Sequence, residues 1–211
     1  RENMVCDIPR LMQLYKGTAD LQGPPKRAVV TIGNFDGVHI GHRDLIGRVS
    51  GHAKRIGGTA VAITFRPHPQ FVIRPSDAPY LINTYEEKVE LMGQAGADLI
   101  LELPFSREFS NISPEEFVDR FLVTGLKAEV LYLGYDFAFG KGRSGSVEVL
   151  QALAGSRGME IHVVPALTVE GKAVSSSLVR KALGEGEMGL ANLCLGRAFF
   201  LRGLVWRGEG R

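Results

Sequence analysis

The chain has 211 residues, 45% of them apolar and 23% charged, with a formal net charge of +2. That is enough apolar sequence to close a core without staples, and too little net charge to mark a nucleic-acid or membrane surface. Two distant cysteines, Cys6 and Cys194, with no CxxC exclude a disulfide framework and point to a reducing compartment. No apolar run approaches the ~20 residues of a membrane helix. Arg1 to Lys16 carries no secretory leader pattern, so a cytoplasmic protein is expected by elimination.

Five short apolar runs follow along the chain: Ala28 to Ile32, Thr59 to Phe65, Asp98 to Leu103, Glu129 to Leu133, and Glu160 to Val164. Each is continuous rather than alternating, as strands buried on both faces of a parallel sheet require. Helical patterns separate them. Gly41 to Ile56 carries Leu45, Ile46 and Val49 at helical spacing. Thr84 to Glu87 and Ser113 to Glu116 read as capping boxes, and Ser146 opens a further helix. The alternation predicts a doubly wound, Rossmann-like α/β sheet with its ligand at the C-terminal strand edge. Beyond Pro165 the rhythm changes. Leu167 to Val174 reads as a hairpin, Ser175 to Leu183 as a capped helix, Met188 to Leu195 as a short helix and Ala198 to Trp206 as a strand.

The segment Gly33-Asn34-Phe35-Asp36-Gly37-Val38-His39-Ile40-Gly41-His42 joins the first strand to the first helix. Gly33 and Gly37 permit a tight turn close to a ligand, and the helix start offers N–H groups and a positive dipole end to a phosphate. His39 and His42, three apart, project the same way and suit a phosphate that gains charge in a transition state. Gly41 leaves room for a nucleotide. Such a pair could instead ligate a metal or be structural, but HExxH is absent and no Cys is near. No GxGxxG fingerprint occurs either.

Three later segments leave the same sheet edge. Arg66-Pro67-His68-Pro69 is a stiff loop whose Arg66 and His68 could hold an anion, or a rigid turn with solvated charges. Gly134 to Gly145 falls short of a Walker loop: five residues, not four, separate Gly134 from Gly140, and Gly142 follows Lys141. Its Lys and Arg suit a nucleotide, and Phe137 and Phe139 could flank a ring or simply pack in the core. Ser175, Ser176 and Ser177 stand at a helix start with Arg180 one turn in, as a triphosphate site would have them.

In this order, GNFDGVHIGH, TFRPHP, GYDFAFGKGRSG and VSSSLVR resemble the bacterial FAD synthetases, the bifunctional riboflavin kinase/FMN adenylyltransferases of the HxGH nucleotidyltransferase superfamily. The likeness runs over about residues 27 to 211. It implies transfer of AMP from ATP to FMN, giving FAD and pyrophosphate, with small-molecule partners only. His39 and His42 would contact the α-phosphate, and Asn34 and Arg180, with Ser175, Ser176 and Ser177, the triphosphate. Gly33, Phe35, Asp36, Gly41, Gly134, Asp136 and Phe139 would frame ATP. Arg66, Pro67, His68 and Pro69 would lie at FMN. Mg²⁺ would arrive with ATP and not in a protein cage. Residues 1–184 are expected to form the adenylyltransferase domain. Residues 185–211 are expected to be a linker and the start of a kinase β-barrel whose Pro-Thr-Ala-Asn motif lies outside these residues. Another phosphate acceptor, or a non-catalytic nucleotide- or flavin-binding module, are the rival readings.

Overall fold

The computed structural model describes residues 12–137 and 145–203. In chain order its elements are β1 (Gln13–Lys16), β2 (Ala28–Ile32), α1 (Ile40–Ile56), β3 (Thr59–Arg66), α2 (Pro69–Ile73), α3 (Tyr85–Gln94) and β4 (Leu99–Pro104). There follow α4 (Pro114–Phe117), β5 (Val130–Gly134), α5 (Val147–Ser156), β6 (Glu160–Val164), β7 (Thr168–Val169), β8 (Lys172–Ala173), α6 (Ser176–Gly184) and α7 (Met188–Leu195). The first six strands make one parallel sheet in the order β1-β4-β3-β2-β5-β6, while β7 and β8 pair as the expected hairpin.

The unbroken apolar runs are explained by burial on two sides. Ala28, Val30 and Ile32 of β2 face a cluster with Phe117, Leu122 and Leu150, whereas Val29 faces Val49 and Ala53 of α1. Successive strand residues alternate faces, so a strand with both faces covered has no polar positions to spare. Local chemistry sets the helix limits. The box at Thr84 and Glu87 forms, Ser113, Ser146 and Ser175 each cap a helix, and α1 ends at left-handed Gly57. Beyond Phe117, α4 widens into a π-type stretch, Val118–Gly125.

Two elements depart from expectation. Strand β1 was not foreseen, because its four residues are mostly exposed and include Gln13 and Lys16. An edge strand with one neighbour needs no apolar run. The strand expected over Ala198 to Trp206 is not formed in residues 198–203, and 204–206 lie outside the described residues. The Phe199 N–H there is taken by Asn192 Oδ1 at 2.7 Å instead of a neighbouring strand.

From β2 the chain winds outward through β3 to β4 and then returns to β5 on the other side of β2. The winding reverses between β2 and β5, and such a switch point opens a crevice at the strands' C-terminal ends. The Gly33–His42 turn leaves β2 there, and Gly134 ends β5 beside it.

Candidate active site

The turn between β2 and α1 is held in an unusual backbone path. Phe35, Gly37 and Val38 have φ of 52, 80 and 39°. A left-handed conformation at a bulky residue costs on the order of 1–3 kcal/mol and persists only when its surroundings over-determine it. Here they do, through side chains from distant segments. Asn83 Oδ1 accepts from the Gly37 N–H at 2.8 Å, and Arg197 donates to the Gly37 and Val38 carbonyls at 2.7 and 3.1 Å. Ser176 Oγ donates to the Asp36 carbonyl at 2.8 Å. At Gly37 the left-handed φ of 80° favours glycine, and a Cβ there would also press on the Ile82 side chain, whose Cδ1 lies 2.8 Å from its position.

His39 is the N-cap of α1. Its Nδ1 accepts from the His42 N–H at 3.3 Å, and the two rings stack with centroids 3.6 Å apart. An accepting Nδ1 on a neutral ring leaves the proton on Nε2. Burial, helped by the Arg197 charge, pushes the His39 pKa down to about 4. Burial and the charges of His39 and Lys88 push His42 well below the usual histidine range. Both imidazoles are therefore neutral hydrogen-bonding groups near pH 7. The Nδ1 of His42 is buried without a hydrogen-bond partner among the described residues. Gly41 has a reason other than nucleotide access: a Cβ there would come within 3.2 Å of the His39 ring.

This pair predicts acid sensitivity. His39 titrates at about 4 folded and at 6.5 as a free side chain, so the unfolded state takes up the proton first. Stability should fall as pH drops from about 6.5 to about 4, by roughly 3 kcal/mol from His39 alone. Asn keeps the cap without the titration. In His39→Asn, the urea midpoint should lose less between pH 7 and 4.5 than in the parent; equal slopes would refute this account.

The VSSSLVR segment is brought onto the turn by a buried ion pair. Arg180 Nη2 bonds Asp36 Oδ2, its Nε donates to the Tyr80 carbonyl at 2.9 Å, and Asp36 Oδ1 accepts from the Ile82 N–H at 3.1 Å. Ser175 Oγ is occupied as the cap of α6, accepting from the Leu178 N–H at 3.1 Å, and Ser177 is exposed. Asp36 thus ties the two segments together, a structural part for a residue expected at ATP. Phe35 is likewise wholly buried, its ring under Gly33 and edge-on to His42.

Beside the turn lies a cleft of about 320 Å³. Asn34 and Asp36 line one side, and Arg66, Pro67 and His68 another, so the first two motifs meet there. Phe71, Leu81 and Tyr85 supply apolar walls. His68 caps α2 by accepting from the Gln70 N–H at 3.3 Å, and Pro69 begins that helix. Arg66 lies 4.1 Å over the Tyr85 ring and 3.9 Å from the Glu102 carboxylate. Lys88 reaches the Asn34 carbonyl at 3.3 Å and Thr64 Oγ1 at 3.1 Å. Burial pushes its pKa down to about 8, and the Arg66 charge works in the same direction against Asp36 and Glu102.

Lys88, Asn83 and Arg197 were not foreseen. Lys88 sits at the end of the first turn of α3, and nothing in a single sequence marks a helical lysine as buried. In the third motif Gly134 and Asp136 are described, and Phe137 packs against the core. Phe139, Lys141 and Arg143 lie outside the described residues.

A Rossmann-like parallel sheet, a glycine turn at its switch point and a histidine pair at the following helix start define the nucleotidyltransferase class of α/β proteins. Pantothenate synthetase from Thermus thermophilus shares the fold, with TM-score 0.53 and 18% identity over 88% of this chain and 82% of that one. The chain belongs to the FAD synthetase family, whose model matches residues 21–178. It is 35% identical to the bifunctional riboflavin kinase/FMN adenylyltransferase of Bacillus subtilis over 88% of this chain and 58% of that protein. The enzyme of the same description from Pseudomonas fluorescens is 35% identical over 94% of this chain and 63% of that protein. The chain thus spans about three fifths of these relatives' length. A structure described as the macrolide-efflux protein from Streptococcus pneumoniae aligns with TM-score 0.78 and 25% identity over 90% of this chain and 72% of that one. Among the described residues no helix is long and apolar enough to cross a membrane.

Proposed function

We propose that this chain transfers the adenylyl group of ATP to the phosphate of FMN, giving FAD and pyrophosphate. The observation that carries the reading is the stacked, neutral His39–His42 pair on a braced turn, beside a cleft that shares Asn34 and Asp36 with it. An FMN phosphate oxygen attacks the α-phosphorus, and the bond from that phosphorus to the β-phosphate oxygen breaks. The attacking group is already an anion at neutral pH, so no general base is needed. Positioning and stabilisation of charge on the α-phosphate carry the step.

His39 and His42 would act on the α-phosphate, and Asn34 on the triphosphate. Among the described residues Arg180 gives Nε to Tyr80 and Nη2 to Asp36, and its Nη1 would serve a β- or γ-phosphate. Both Asp36 oxygens are engaged, so the turn offers no free carboxylate to a metal. Mg²⁺ would arrive with ATP, held by the nucleotide and not by a protein cage, and would supply charge neutralisation at the triphosphate. The flat ring of FMN would enter the cleft between Phe71, Leu81 and Tyr85, near Arg66 to Pro69. We further propose a cytoplasmic setting, with residues 1–184 as the transferase unit and 185–211 leading into a riboflavin kinase module.

Incubation of the chain with FMN, ATP and MgCl₂ should release pyrophosphate and yield FAD in equal amounts, read by chromatography. Adenylylation of pantetheine phosphate or nicotinamide mononucleotide without FAD would move the acceptor. No pyrophosphate with any of them would leave a binding module. Lys88 is charged below about pH 8, so kcat/KM for FMN should decline above that pH. Lys88→Met should be slower at pH 7 and lack that alkaline limb; an unchanged profile would remove Lys88 from the site.

A further inference from the structure

At the other end of the sheet, three metal-ligand side chains converge that the transfer reaction does not use. His52 lies near the C-terminal end of α1, roughly 20 Å along the helix from His39. Glu160 and His162 lie two apart on β6 and so share a face of the sheet. One donor atom from each falls within 4.8 Å of the other two. We propose that His52, Glu160 and His162 form a binding site for a divalent transition metal of the zinc class, separate from the nucleotide turn.

The donor set is two imidazoles and one carboxylate, which suits zinc with a fourth position left to water. Its geometry is prepared from two elements. His52 is buried, and its Nδ1 lies 3.0 Å from the Tyr132 hydroxyl, which fixes the ring's orientation. Tyr132, directly across from His162 in the β5–β6 register, stacks on the His162 ring with centroids 4.5 Å apart. Glu160 already meets His162 Nε2 at 2.7 Å. Tetrahedral ligands stand about 3.3 Å apart. A metal therefore needs that contact to open slightly and the third donor to close in, which are side-chain adjustments.

Because β6 is an edge strand, the site is open to solvent on one side, where His52 and Glu160 line a hollow of about 390 Å³. Two arginines line it too. Arg27 is paired with Glu129 at 3.0 Å, and Arg55 leaves a positive charge beside the site that must weaken a cation there. A bound ion would fasten the end of α1 to the edge strand, so its signature is stability and spectrum, not turnover.

The test is a titration of chelator-treated chain with Co²⁺ and Zn²⁺. One Co²⁺ per chain should give the visible absorption of a four-coordinate site, displaced by Zn²⁺. Zn²⁺ should raise Tm. His162→Gln, at a half-buried residue, and Glu160→Gln, at an exposed one, should each weaken binding by at least about tenfold. Arg55→Ala should tighten it, and His39→Asn should leave it unchanged. Absence of saturable binding would overturn the proposal. So would binding that survives both edge-strand changes, or that disappears with His39→Asn, which would place the ion at the other end of α1.

Discussion

His42→Ala should lower kcat for FAD formation by roughly 10²-fold or more while leaving the fold intact. The ring sits in the first turn of α1, stacked on His39 and edge-on to Phe35, with a buried Nδ1 that none of the described residues satisfies. A donor pre-aimed at developing charge, in a site that holds water out, is typically worth about 10²–10³ in rate. The ring is neutral near pH 7 because burial first, and also the Lys88 charge, disfavour its cation. It would therefore work as a hydrogen-bond donor to the phosphate and not as a fixed positive charge. The folding cost should be small, within about 2 kcal/mol, because the variant loses a partly exposed ring and also removes an orphaned polar atom. Initial rates of pyrophosphate release, with urea midpoints alongside, separate the two. A rate within a fewfold of the parent would take His42 off the reacting phosphate.

The largest effect on folding should come from Asp36→Ala, at about 3–5 kcal/mol. Asp36 is 4% exposed, and among the described residues its carboxylate accepts from both Arg180 Nη2 and the Ile82 N–H. Truncation leaves a mostly buried guanidinium without its counter-charge and a backbone donor without an acceptor. For a chain of this size each kcal/mol moves Tm by about 2–4 °C, so a drop of about 6–20 °C is expected. Asp36→Asn should cost less, since its carbonyl can still take the Ile82 N–H. A loss below about 1 kcal/mol for Asp36→Ala would mean the pair is dispensable to the fold. Because the same residue joins the turn to α6, activity should fall with either change.

The turn owes its shape to contacts made across 46 to 160 residues of chain. Phe35 and Val38 hold positive φ because Asn83, Ser176 and Arg197 take up the peptide groups around them. The nucleotide role proposed above would gain from this: N–H groups and rings would be aimed before the ligand arrives, and no binding energy would go into ordering them.

Much of the fold was legible in sequence because its signals are local. Runs such as Ala28 to Ile32 announce strands covered on both faces, serines at 113, 146 and 175 mark helix starts, and Gly33 to His42 carries its chemistry in ten consecutive residues. Those features depend on backbone conformation and on neighbours a few positions away. The edge strand Gln13–Lys16, the buried Lys88 and the engagement of Asp36 by Arg180 depend instead on which surfaces come together once the chain closes. Charge and burial act through space, so a lysine inside a cleft and a lysine on a helix surface are spelled alike. The sequence by itself determined the class of fold and the histidine pair. Only the tertiary structure decided which side chains brace that pair, which cation enters the cleft, and that two histidines and a glutamate meet at the far end of the sheet.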